Sequence, residues 1–252
     1  MKALYVDIRE RAREIADRFP EPDFYRDHAP EVAAALALLE QDPVLVALRA
    51  YVAQRLESDF GHGLEHALKV AVDAGALMQV EGRAAGYGPE RLARRTVICQ
   101  AAALLHDICR KSPDHAAKGA CFAAAVLEGF GFSAGEIADI RLAIESHEAF
   151  RPIKAAASIE ATLVADCLYD ADKFRWGPDN FRDTVWDMVA YHDPPLEVFL
   201  TRYPAGMESL ERIGQTFRSR TGKRFGPQFI RFGLAIGREL LAVIRRDFVH
   251  RP

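Results

Sequence analysis

Apolar residues recur along most of the chain at the three- and four-residue spacing of a helix face, and the alternation that a half-buried strand needs is absent. Leu4, Ile8, Ile15 and Phe19 mark one side of an opening helix that stops at Pro20-Glu21-Pro22. Helical segments are expected over residues 30–39 and 43–56, after which Asp59-Phe60-Gly61-His62-Gly63 breaks the pattern. A long helix should run from Leu64 to the region of Glu81, and another from Glu90, beyond the Gly86 to Pro89 loop, to His106-Asp107. Asp114 is placed to cap a helix over residues 115–127, and Ser133 with Glu136 has the capping-box spacing for a helix reaching His147. Ser158 opens the next helix, which continues to the region of Asp172. Beyond Trp176-Gly177-Pro178 the periodicity supports about three more helices, the last over residues 227–246. Asp179-Asn180 reads as an N-cap, and Trp176 and Trp186 as core.

No repeat or low-complexity linker divides the chain, so the pattern predicts an all-α fold with the character of a single helical bundle. N-terminal helices (1–57) would pack on a central core (58–180), and residues 181–252 would form a C-terminal helical extension of the same domain. The 252 residues are 50% hydrophobic and 27% charged, enough to bury one large core. A net charge of −3 supplies no global field toward nucleic acid or an anionic membrane. Arg94-Arg95, Arg218 with Arg220, and Lys223-Arg224 therefore read as solvated faces, and no nucleic-acid polymer is expected as a partner. No apolar run approaches the roughly 20 residues of a membrane span. The early charges after Met1 do not resemble a signal peptide, and Cys99, Cys109, Cys121 and Cys167 lack CxxC spacing. Reduced thiols in a cytoplasmic protein are the expectation.

Candidate chemistry centres on Ala101-Ala102-Ala103-Leu104-Leu105-His106-Asp107-Ile108. An imidazole and a carboxylate at the end of an apolar segment are costly to bury without compensation. A divalent metal compensates both, since neutral imidazole nitrogen and carboxylate oxygen are natural ligands. A buried histidine hydrogen-bonded to its neighbour would satisfy the dipeptide equally well, so the placement of the other histidines decides. Of eight histidines, His66 lies near the start of one predicted helix, His106 at the end of a second, His115 at the start of a third and His147 at the end of a fourth. Helix-end side chains can converge on one cavity without breaking an apolar seam.

With His66 in Glu-His-Ala-Leu-Lys-Val, His106-Asp107 after Ala-Leu-Leu, and a distal aspartate, residues 60 to 180 resemble the HD superfamily of metal-dependent phosphohydrolases. The resemblance implies an HD-domain helical bundle in which His66, His106, Asp107 and the distal aspartate share a divalent ion. His62 is an alternative to His66. The distal aspartate has two candidates. Asp172 is preferred because Asp172-Lys173-Phe174 is similar to the Asp-x-Asp-Lys-aromatic run of deoxynucleotide triphosphohydrolases, and Asp166 is the alternative. Asp170 lies about 200° around the helix from Asp172 and cannot easily join it on one ion. His115 and His147 resemble the two further histidines of dinuclear members, although His115 could instead face the substrate or stand behind the ligands.

The expected function is hydrolysis of a small phosphate ester, possibly a nucleotide, with one or two ions of Mn, Fe, Ni, Co or Zn. The ion would activate water and polarise a phosphoryl oxygen. Asp107 would orient that water, and Lys173, Arg110 and Lys111 would offset phosphate charge. Two other readings share the ligand set: an HD-fold di-iron oxygenase, and a metal- or nucleotide-binding module without turnover. His192-Asp193, before Pro194-Pro195, reads as a loop pair unconnected to the site.

Overall fold

The structure, a computed structural model, describes residues 3–56 and 63–249. His62 and the start of the Asp59 break lie outside the described residues. Among those described there are twelve α-helices and no strand, so the chain is all-α. In order they are α1 (Ala3–Ala16), α2 (Asp23–Asp27), α3 (Ala29–Gln41), α4 (Pro43–Ala53), α5 (Leu64–Ala84) and α6 (Pro89–Leu105). Then follow α7 (His115–Leu127), α8 (Ala134–Glu145), α9 (Ile159–Phe174), α10 (Val185–His192), α11 (Leu196–Ile213) and α12 (Arg220–Asp247). No described helix is long and apolar enough to cross a membrane.

The centre of the bundle is α6. Every residue from Arg95 to Asp107 is buried, and a helix apolar on all sides belongs in the interior. It packs along α5, which also meets α3 and α9, while α8 closes against α6, α7 and α9. Small residues make the α5 contacts close: a Cβ on Gly75 would stand 2.7 Å from Gln100 Nε2, whose amide donates to Ala35 O at 2.7 Å. Because α6 is buried throughout, its polar end, His106-Asp107, is delivered into the middle of the protein. The last turn of α9 arrives at the same place, with Cys167 to Arg175 buried without interruption.

Several local expectations are corrected. Asp114 does not cap α7 through its side chain; it adopts a left-handed conformation (φ 54°) and acts as the corner that turns the chain into His115. Asp179 stands at the N-cap position of a π-helical turn over Asn180–Thr184 but makes no side-chain capping bond, because its carboxylate is taken by Arg175. Trp186 is fully buried, but Trp176 is only half-buried. His192 ends α10 rather than lying in a loop, and Asp193 supplies the left-handed residue that closes it. The opening helix stops at Ala16, short of the prolines, and a short α2 follows them.

The largest difference is α12, which starts at Arg220 and carries Pro227 in its interior. Its start is set by a distant partner. Asp170 on α9 accepts from the backbone amides of Arg218 and Ser219, both at 2.8 Å, and Ser219 in turn caps Gly222 N at 2.8 Å. Gly222 makes this possible, since a Cβ there would lie 2.0 Å from Asp170 Oδ2. Gly222→Ala is therefore expected to destabilise by ~1–3 kcal/mol through overpacking. Gly135→Ala, where a Cβ meets nothing within 4 Å, should be neutral or stabilising. Thermal unfolding of the two variants checks the contrast.

Candidate metal centre

After Leu105 the chain winds tightly rather than extending, with Ile108 N donating to Leu105 O at 3.1 Å and Arg110 N to Asp107 O at 2.9 Å. This end geometry lets adjacent His106 and Asp107 face one cavity, which an unbroken helix would not permit. His106 Nδ1 donates to Ala103 O at 2.7 Å, and His147 Nδ1 donates to Ile144 O at 2.6 Å. In both, the carbonyl three residues back fixes the ring, so Nε2 carries the lone pair and points inward.

These atoms converge with the carboxylates. His66 Nε2 lies 3.3 Å from Asp172 Oδ1, and His106 Nε2 lies 3.8 Å from the same oxygen and 3.3 Å from Asp107 Oδ2. On the other side of Asp107, Oδ1 is 3.4 Å from His147 Nε2 and 3.7 Å from His115 Nε2. Two groups able to hold a metal result: His66, His106 and Asp107, and Asp107, His115 and His147, each with ligand atoms within 4.8 Å of one another. Asp107 belongs to both and turns one oxygen to each.

The donor set fits a divalent cation. His106 Nε2 and Asp107 Oδ1 are buried with no hydrogen-bond partner among the described residues. Leaving such atoms unsatisfied costs on the order of 1–3 kcal/mol each, more for a charged group. Burial would lower the His106 pKa, but Asp107 and Asp172 outweigh it and raise it above the ordinary imidazole value. Burial likewise opposes ionisation of Asp107, yet His106 and His147 hold it well below the carboxylate range. Asp107 and Asp172 bring two carboxylates to the imidazole cluster, where a cation would be attracted by both.

The other expected residues divide. Asp172 is in the cluster, whereas Asp166 is half-buried elsewhere and feels Arg218 and Lys223. Lys173 is buried, ion-paired to Asp172, with its ammonium 5.0 Å from the Tyr169 ring centre. Arg110 reaches the site by donating from Nη1 to His115 Nε2 at 2.8 Å, so in this state it covers the lone pair that His115 would offer a metal. Lys111 turns away, 5.6 Å over the ring of Tyr191. A cavity of ≈ 170 Å³ opens on the cluster, and its wall includes Arg110, Lys173 and three residues that the sequence pattern did not single out: Glu148, Arg175 and Met188. Glu148 Oε1 is 3.9 Å from His115 Nδ1. Adjacency to His147 was the one signal for it; Arg175 and Met188 had none beyond proximity to Lys173 and Trp186.

Arg218, which the charge pattern placed on a solvated face, is half-buried. It donates to Ser146 O at 2.9 Å and stacks 3.5 Å over the Tyr169 ring. It thus braces the carbonyl before His147 and the face of the residue one turn ahead of Lys173.

Fold and site together define an all-α domain with a buried imidazole–carboxylate centre able to hold divalent metal. The HD domain family matches residues 63–177, which span every residue of that centre. The crystal structure of a predicted HD superfamily hydrolase from an uncultured Thermotogales bacterium shares the fold, with a TM-score of 0.50 and 22% identity. The alignment covers 81% of this chain and 95% of that one. No curated protein matches the chain. Residues 63–177 thus carry an HD domain.

Proposed function

We propose that the protein is a metal-dependent phosphohydrolase acting on a small phosphate ester, with His66, His106, Asp107 and Asp172 around one ion and Asp107, His115 and His147 around a second. The observation that carries this reading is the division of Asp107 between two imidazole groups, with Oδ2 toward His106 and Oδ1 toward His147 and His115. A divalent cation in such a centre supplies a Lewis acid for a phosphoryl oxygen and activates water. The chain's own residues do the rest. Asp107 fixes the spacing of the two groups. Lys173 and Arg110, on the cavity wall, offset charge on the phosphate. Glu148 is an acceptor beside His115 for a proton released during attack. Lys111, turned onto Tyr191, has no part in this reading.

Chelation with EDTA should abolish phosphate release, and Mn²⁺ or Co²⁺ should restore it. A panel of monoesters, nucleotides and cyclic nucleotides tests the reading, and silence of the metal-loaded protein across the panel would overturn it. Lys173→Ala is expected to lower turnover at least tenfold while metal content, read by elemental analysis, is retained.

A further inference from the structure

The catalytic cavity is lined chiefly by charged and polar side chains, so an apolar part of a substrate is better placed elsewhere. Three cavities lie in series along α5 and the end of α9. The first is the ≈ 170 Å³ space at the metal centre. A second, of ≈ 190 Å³, shares His66, Arg175 and Thr184 with it. A third, of ≈ 700 Å³, shares Lys69, Arg175 and Asp179 with the second. Helix α5 runs past all three: His66 lines the centre, Lys69 the junction, and Leu68, Val72 and Asp73 the large cavity. Six residues of helix place Val72 about 9 Å from the His66 level. Helix α9 makes the same hand-over in two steps of sequence, from Asp172-Lys173 at the centre to Phe174 in the large cavity.

The large cavity differs in character from the catalytic one. Its walls are mostly apolar, with Phe19, Leu36, Leu39, Leu68 and Phe229 among them. It carries four cationic side chains and four carboxylates, so its charge cancels. At its base the charges neutralise one another: Arg175 is ion-paired with buried Asp73 and with Asp179, and Tyr25 Oη donates to Asp73 Oδ2 at 3.0 Å. A second phosphate gains nothing there, whereas an uncharged apolar body with a few polar atoms is well matched.

We infer that the substrate is a phosphate monoester whose alcohol part is bulky, uncharged and largely apolar, its phosphate at the metal centre and its body in the large cavity, with Arg175 and Lys69 beside the bond that joins them. This rests on the phosphohydrolase reading and narrows its substrate class.

Leu36 lines the large cavity and is 42% exposed, so Leu36→Trp narrows it without disturbing the core. Val198→Trp, at a comparably exposed site (38%) of α11, none of whose residues lines the three cavities, is the control. Binding is measured first, by calorimetric titration of the metal-loaded proteins with 1-naphthyl phosphate and with inorganic phosphate. The wild type is expected to bind the naphthyl ester at least tenfold more tightly than phosphate. Leu36→Trp should remove most of that advantage, and Val198→Trp should keep it. Turnover is measured second, as the ratio of kcat/KM for 1-naphthyl phosphate to that for glycerol phosphate, which should fall tenfold or more in Leu36→Trp. No preference for the naphthyl ester, or a preference that Leu36→Trp leaves intact while its thermal midpoint matches the wild type, overturns the inference. Tight naphthyl binding sensitive to Leu36→Trp, with no phosphate released from any ester, would instead sink the hydrolase reading and leave the cavity assignment standing.

Discussion

Asp107→Ala is expected to release all bound metal, a larger loss than any single histidine substitution. The reason is its place between the two ligand groups: Oδ2 is 3.3 Å from His106 Nε2, and Oδ1 is 3.4 Å from His147 Nε2. His66→Ala removes a donor from one group, and His147→Ala removes a donor from the other. Each should leave close to one ion per chain where the wild type holds close to two. Even groups behind the ligands change affinity by about 10–100-fold, so loss of a shared ligand should exceed that. Elemental analysis after dialysis reads the stoichiometry. Far-UV circular dichroism should show helix content retained, because α6 is held by the apolar burial of Ile98 to Leu105 rather than by its polar end. Two ions kept by Asp107→Ala, or both lost from His147→Ala, would overturn the shared-ligand arrangement.

The same contrast between α6 and its terminus explains what the sequence made legible. Ala101 to Leu105 is apolar on every side, which requires burial, and the polar pair that follows then has no route to solvent. The helix-end positions of His66, His106, His115 and His147 follow from local signals: a Gly before α5, the apolar run of α6, the turn before α7, and the Ser133–Glu136 capping box of α8. Those signals act over a few residues and can be read from one stretch of chain. Asp114 shows their limit. Its residue type suits a cap, but it also tolerates positive φ, and the tight turn from Lys111 to His115 requires the second property. Asp179 shows the same limit, because Arg175 four residues before it claims the carboxylate.

What could not be read depends on pairs far apart in sequence. Asp73 and Tyr25 meet Arg175 across more than a hundred residues, and nothing near any of the three distinguishes it from a surface residue. Arg218 sits in a basic stretch whose composition suggests solvent, yet its partners are Ser146 and Tyr169. The start of α12 is of this kind too. The angle around α9 separates Asp170 from Asp172 but does not reveal its partner, a helix start some fifty residues downstream that it caps. Burial raises its pKa to about 7, opposed by those amide bonds, so the carboxylate serves structure on the face of α9 turned away from the metal centre.

Asp172 and Asp166 provide the second large expected effect, because they stand on one helix with the same chemistry and different surroundings. They are separated by about 240° around α9 and about 9 Å along it. Asp172 is buried, 3.3 Å from His66 Nε2, and paired with buried Lys173. Asp166 is half-buried near Arg218 and Lys223, and burial raises its pKa. Asp172→Asn keeps the shape but removes the charge that both an ion and Lys173 need. It should lose the ion on the His66 side, lower turnover by at least about 100-fold, and destabilise the fold by ~3–5 kcal/mol, the usual cost of leaving a buried partner uncompensated. Asp166→Asn should leave metal content and turnover within about twofold of wild type, since Lys223 is exposed and half-buried Arg218 keeps its bond to Ser146 O and its stacking on Tyr169. A metal count on the two variants, read beside their unfolding curves, decides the matter. Loss of metal from Asp166→Asn with retention in Asp172→Asn would move the distal ligand nearly two turns back along α9. It would then leave the 3.3 Å approach of Asp172 to His66 as a packing contact that requires no ion.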